Sequence, residues 1–93
     1  MVLIIAEDAL ARAVYGELFA MRGWDVVTAA GARDGLKLAR DRRIAVVVLS
    51  LPTGTARVRD KLRALRPRLR VHATGMTPLP FDVLAPPARQ QLH

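Results

Sequence analysis

The stretch Ile44-Ala45-Val46-Val47-Val48-Leu49-Ser50-Leu51-Pro52 constrains the fold of this chain more than any other. It is apolar, rich in β-branched residues and closed by a proline, which reads as a strand buried on both faces. A strand that does not alternate apolar with polar residues needs cover on both sides. A parallel sheet between layers of helices supplies that cover. In such sheets ligands and chemistry collect just past the carboxyl ends of the strands. Ser50 holds that position here.

The rest of the chain supplies matching elements. Residues 2–6 are a short apolar run and read as a first strand. Asp8 can cap a helix over 9–22. In it Leu10, Val14, Leu18 and Met21 draw one apolar stripe, expected to face the core, and Gly23 supplies the stop. Residues 24–28 read as a second strand and 33–42 as a second helix, with Leu36 and Ala39 inward. The third strand spans 44–49. Threonines of the loop Pro52-Thr53-Gly54-Thr55 can cap a third helix over 56–66, whose stripe is Val58, Leu62 and Leu65. Residues 69–74 read as a fourth strand and 81–84 as a fifth. Strands alternating with helices imply an α/β fold with a parallel sheet. With 93 residues and no repeat or linker, the chain is read as a single domain, 1–93.

Composition narrows the function classes. At 52% hydrophobic and 4% aromatic residues, the core must be mostly Val, Leu, Ile and Ala. Cysteine is absent, which excludes disulfides and thiolate metal sites and suits a reducing cytosol. A cytoplasmic location is therefore expected. No apolar run approaches the roughly 18 residues of a membrane span, so no membrane partner is expected. Met1 to Ala6 has no basic flank and runs into Glu7-Asp8, which fits a strand better than a signal peptide. His72 and His93 form no ligand cluster, and no metal or cofactor is expected.

The net charge of +7 is unevenly placed. Residues 1–32 carry Glu7, Asp8, Glu17 and Asp25 against Arg12 and Arg22, whereas residues 33–70 carry twelve Lys or Arg against Asp34, Asp41 and Asp60. Arg57, Arg59, Lys61, Arg63, Arg66, Arg68 and Arg70 fall in one short run. With right-handed crossovers and strand order 2-1-3-4-5, the second and third helices share one face and the first takes the other. The basic residues would then form one surface able to hold a polyanion or an acidic protein. No aromatic residues are interleaved for base stacking, so nucleic acid would be held through phosphates, non-specifically and in a salt-dependent way.

This order of elements resembles the receiver domain of two-component response regulators. The resemblance spans nearly the whole chain and is strongest over residues 2–50. Gly23-Trp24-Asp25-Val26-Val27-Thr28-Ala29-Ala30 is similar to that family's second strand and its exit, and Gly35-Leu36-Lys37-Leu38-Ala39 to its second helix. It implies a flavodoxin-like, receiver-like fold. Receiver chemistry uses two acidic residues after strand one and a nucleophilic aspartate after strand three, which together hold magnesium, a cation that prefers oxygen ligands. A hydroxyl after strand four and a lysine after strand five complete the set.

Carried onto this chain, the acidic pair falls on Ala6 and Glu7, the aspartate on Ser50, the hydroxyl on Thr74 and the lysine on Ala85, before Pro86. Three of the five groups are lost, and a serine without a neighbouring base is a poor acceptor. The resemblance therefore implies a degenerate phosphorylation site. The chain is expected to be no enzyme but a phosphorylation-independent interaction module, a pseudo-receiver with signalling or regulatory partners. A small basic nucleic-acid-associated protein is the alternative.

The chain also departs from the family in architecture. The six residues between Thr74 and Phe81 are too few for a normal parallel crossover, which takes a dozen or more. The fourth helix is expected to be missing and the fifth truncated. The fifth strand can then pair parallel through a tight loop, pair antiparallel with strand four, or join a neighbouring chain. With that cover lost, part of Leu69, Val71, Ala73, Phe81, Val83 and Leu84 would face water. A homodimer or an obligate protein partner is expected there.

Overall fold

A computed structural model of the chain describes residues 1–74. The expectations of a fifth strand, no fourth helix and a truncated fifth helix concern residues outside the described ones, as do those for Phe81, Val83, Leu84, Ala85 and Pro86. Within the described part the order is β1 (Val2–Ala6), α1 (Ala9–Met21), β2 (Val26–Ala29), α2 (Ala32–Leu38), β3 (Val46–Ser50), α3 (Thr55–Leu65) and β4 (Arg70–Ala73). The four strands form one parallel sheet in the order β2-β1-β3-β4. β1 and β3 are its interior strands, which is why their sequences are unbroken apolar runs.

The register sorts side chains between two layers. Val2 lies beside Val46, and Ile4 beside Val48. These four residues pack with Phe19 of α1 and with Trp24. Leu3 lies beside Val47, and Ile5 beside Leu49. They pack with Ala39, Ile44, Val58, Leu62 and Leu69 under α2 and α3. The first helix therefore covers one face and the second and third cover the other, as right-handed crossovers require.

The helix ends have identifiable causes. Asp8 caps α1 by accepting a hydrogen bond from the Ala11 amide at 2.9 Å. Gly23, at φ 92, lets the chain leave α1 and turn into β2. No threonine caps α3. Its N-cap is Gly54 at φ 76, without a side-chain bond, and Thr55 is already the first helical residue. The left-handed turn excludes a side chain at the cap more strongly than capping favours one.

The apolar stripe of α1 is also corrected. Leu10, Val14, Leu18 and Met21 are exposed, at 70, 49, 42 and 75%. The face toward the sheet is one residue further round and holds Ala11, Tyr15 and the fully buried Phe19. The Phe19 ring meets Trp24 edge to face at 5.8 Å, the favoured geometry for an aromatic pair. In α3, Val58 and Leu62 are buried as expected, whereas Leu65 is 41% exposed.

Candidate functional site

The carboxyl ends of β1, β3 and β4 come together in a cleft of about 410 Å³, lined by Glu7, Asp8, Tyr15, Ser50, Leu51, Pro52 and Thr74. The fold thus brings together four residues that the sequence placed near one another: Ala6, Glu7, Ser50 and Thr74. Ala6 and Ser50 are paired in register at the ends of β1 and β3, and Ala6 is fully buried. Glu7 and Asp8 begin the loop into α1.

Three polar groups at this end of the sheet have a definable task. The Asp8 carboxylate holds the first turn of α1. The Thr74 amide and the Thr74 hydroxyl both donate to the carbonyl of Leu49, at 2.8 and 3.2 Å, which ties the end of β4 to β3. Arg12, a residue the sequence did not single out, donates from Nη1 to the carbonyls of Ala6 at 2.7 Å and Glu7 at 2.9 Å. A guanidinium therefore sits at the end of β1. The signal for it was present: helical side chains lean toward the helix N-terminus, so an arginine in the first turn of α1 reaches back over the loop.

These residues do not fit a magnesium ion. Such an ion needs hard oxygen ligands in near-octahedral array, usually including carboxylates. Ala6 and Ser50 offer no carboxylate, Asp8 is engaged as a cap, and the carbonyls of Ala6 and Glu7 already accept from Arg12. Glu7 is left as the one other carboxylate lining the cleft. Among the described residues no group of three or more His, Cys, Asp and Glu is placed to hold a metal. Ser50 has no histidine in the cleft to act as its base.

The expected basic surface is divided rather than continuous. Arg57, Lys61 and Arg63 are exposed on α3. Arg59 is half-buried, with Nε enclosed and without a hydrogen-bond partner. Arg66 turns inward, and its Nη1 donates to the carbonyls of Ala39, Asp41 and Ile44. Arg70 pairs in register with Val46, so its side chain belongs to the α1 face and not to the α3 face. Arg68 is exposed in the loop between α3 and β4. The strict alternation of β4 and the carbonyls open to Arg66 break up the run.

The residues expected to form an apolar edge are likewise sorted. Leu69 is buried at 6% in the core beneath α3, which corrects its expected exposure, and Val71 packs against the same cluster. Val71 and Ala73 are half-buried on a strand that pairs on one side among the described residues. No helix among the described residues is long and apolar enough to cross a membrane.

No protein-family model matches the sequence, and no curated protein does. Solved structures do match. The chemotaxis protein CheY4 of Vibrio cholerae is 18% identical over 88% of this chain and 72% of its own, with a TM-score of 0.66. The receiver domain of the hybrid histidine kinase CckA is 20% identical over 99% of this chain and 98% of its own, with a TM-score of 0.69. At such identities the likeness is one of fold. This chain therefore has a receiver-like α/β fold, with its four described strands in the order β2-β1-β3-β4.

Proposed function

We propose that this chain is a phosphorylation-independent interaction module of the response-regulator kind. One observation carries the reading: Ser50, not a carboxylate, stands at the end of β3 opposite Ala6. The cleft is assembled as the fold requires, yet three polar groups at this end of the sheet are committed to holding the backbone. Asp8 caps α1, Arg12 closes the end of β1, and the Thr74 hydroxyl bonds to Leu49. Such an arrangement favours one fixed conformation over a phosphate-driven switch. Partners are then recognised by surface shape and charge, and a second copy of the chain over β4 is among them.

The test is to incubate the whole chain with a small acyl phosphate and magnesium and weigh the intact protein. An unchanged mass is expected. A stoichiometric phosphate adduct would overturn the reading.

A second reading is favoured by the exposed Arg57, Lys61 and Arg63, which can hold a polyanion without sequence preference. In that case retention on heparin falls steeply with salt and is lost on reversing these three charges.

A further inference from the structure

We propose that a second cleft, at the amino-terminal end of β3 and β4, binds an acidic peptide segment carrying one apolar side chain. This cleft lies at the opposite end of the sheet from Ser50. Its volume is about 620 Å³, within the roughly 300–1,000 Å³ of ordinary ligand sites. Arg42 from the loop before β3 and Arg66 and Arg68 from the loop before β4 line it, and Arg70, whose side chain belongs to the α1 face, borders it at the start of β4. None of its described lining residues is acidic or aromatic. Asp41, the acid next to Arg42 in sequence, is already held by Arg43 at 2.7 Å.

The floor between these guanidiniums is apolar. Ile44 and Leu69 are buried beneath it, and Leu65 at the end of α3 remains 41% exposed. The carbonyl end of a helix attracts cations, which by itself accounts for an arginine at Arg66. It does not account for Arg42, which arrives from another segment, or for Arg68, two residues past Arg66, and both are exposed. The two loops that form the walls are tied together, because Arg66 Nη1 donates to the carbonyls of Ala39, Asp41 and Ile44. The cleft is therefore formed before any ligand arrives, which lowers the ordering cost of binding.

Guanidinium forks match carboxylates, and an exposed leucine among them matches a peptide that places one apolar side chain between acids. Nucleic acid fits less well. Its phosphates offer nothing to cover Leu65, and the cleft has no aromatic ring on which a base could stack.

The experiment uses the whole chain and fluorescence anisotropy of three labelled probes at near-physiological salt. One is a short Asp/Glu peptide with a central leucine. The second carries serine in place of that leucine. The third is single-stranded DNA of equal charge. The leucine peptide is expected to bind, with the serine peptide about tenfold weaker through lost apolar burial and the DNA weaker than the leucine peptide. Arg42→Glu with Arg68→Glu should weaken the leucine peptide by at least about tenfold. Arg57→Glu with Lys61→Glu makes the same charge change on the outer side of α3 and should alter it by less than about twofold. Equal binding of the two peptides, tighter binding of the DNA, equal loss in both charge variants, or no binding at all would each overturn the proposal. A phosphate adduct at the other cleft would remove the phosphorylation-independent reading and leave this one standing.

Discussion

Arg66 Nη1 lies 2.7 Å from the carbonyl oxygen of Ile44, and the same nitrogen reaches the carbonyls of Asp41 at 3.0 Å and Ala39 at 3.2 Å. One side chain thus serves the backbone groups left open where α2 ends and β3 begins. Hydrogen bonds from a charged donor contribute about 1.5–3 kcal/mol, and removing the donor strands its acceptors. Arg66→Ala should therefore cost about 2 kcal/mol in urea unfolding. Arg63→Ala, one turn earlier and exposed, should cost no more than about 0.5 kcal/mol. Equal losses at the two positions would show that Arg66 is an ordinary surface charge.

The two helical glycines among the described residues should respond in opposite directions. A Cβ on Gly35 would run into the side chain of Ile5, because α2 lies directly on β1. Overpacking costs typically about 1–3 kcal/mol, against a gain of up to about 1 kcal/mol in helix propensity. Gly35→Ala should destabilise by about 1–2 kcal/mol. A Cβ on Gly16 would meet Val26 Cγ1 at 3.7 Å, an ordinary contact. Gly16→Ala should stabilise by about 0.5–1 kcal/mol. Thermal unfolding of the two variants beside the parent chain decides the matter.

The sheet was legible because β1 and β3 are continuous apolar runs, and only an interior parallel strand needs that pattern. Its order followed from chain handedness and from the resemblance of strings such as Gly23 to Ala30. The face of α1 was not legible. Leu10, Val14 and Leu18 repeat every four residues, and so do Ala11, Tyr15 and Phe19. Two adjacent stripes of one helix differ only by a rotation, and packing of Phe19 on Trp24 and the sheet selects between them. At the carboxyl-end cleft, Ala6, Glu7, Ser50 and Thr74 could be placed by register. The partners of Arg12 and Arg66 could not, because both are backbone carbonyls, which leave no mark in a sequence. The cap of α3 was misplaced for a related reason: Gly54 carries its information in a dihedral angle.

Asp41 should titrate well below other carboxylates. Its side chain accepts from the Arg43 guanidinium and from the Arg43 amide, and this lowers its pKa from 3.8 to about 2. A carboxylate with a depressed folded pKa adds stability above its unfolded value and loses it as pH falls through the folded one. The contribution should be complete above pH 3.8 and fade toward pH 2. The pair is exposed, so the effect on unfolding is small, and the direct readout is the carboxyl carbon shift of Asp41 by NMR. Arg43→Ala removes the guanidinium and keeps the amide bond, so the midpoint should rise part of the way toward the ordinary carboxylate range; a midpoint unmoved by that change would show that the guanidinium is not the cause.

The outward stripe of α1 separates packing inside one chain from packing between chains. Phe19 is fully buried, whereas Leu10 and Met21 are 70 and 75% exposed. Truncating a buried phenylalanine costs about 3–5 kcal/mol, and exposed substitutions usually stay within about 0.5 kcal/mol. Phe19→Ala should therefore come close to unfolding a domain of this size, since small domains have little stability to lose. Leu10→Ser and Met21→Gln should leave the unfolding midpoint nearly unchanged at every protein concentration if each chain keeps the stripe in water. Association makes stability depend on concentration by mass action. A destabilisation by Leu10→Ser that is large in concentrated samples and vanishes on dilution would thus place a second copy on this helix. Measuring the midpoint across a hundredfold range of concentration, with Phe19→Ala as the internal reference, tells these two outcomes apart.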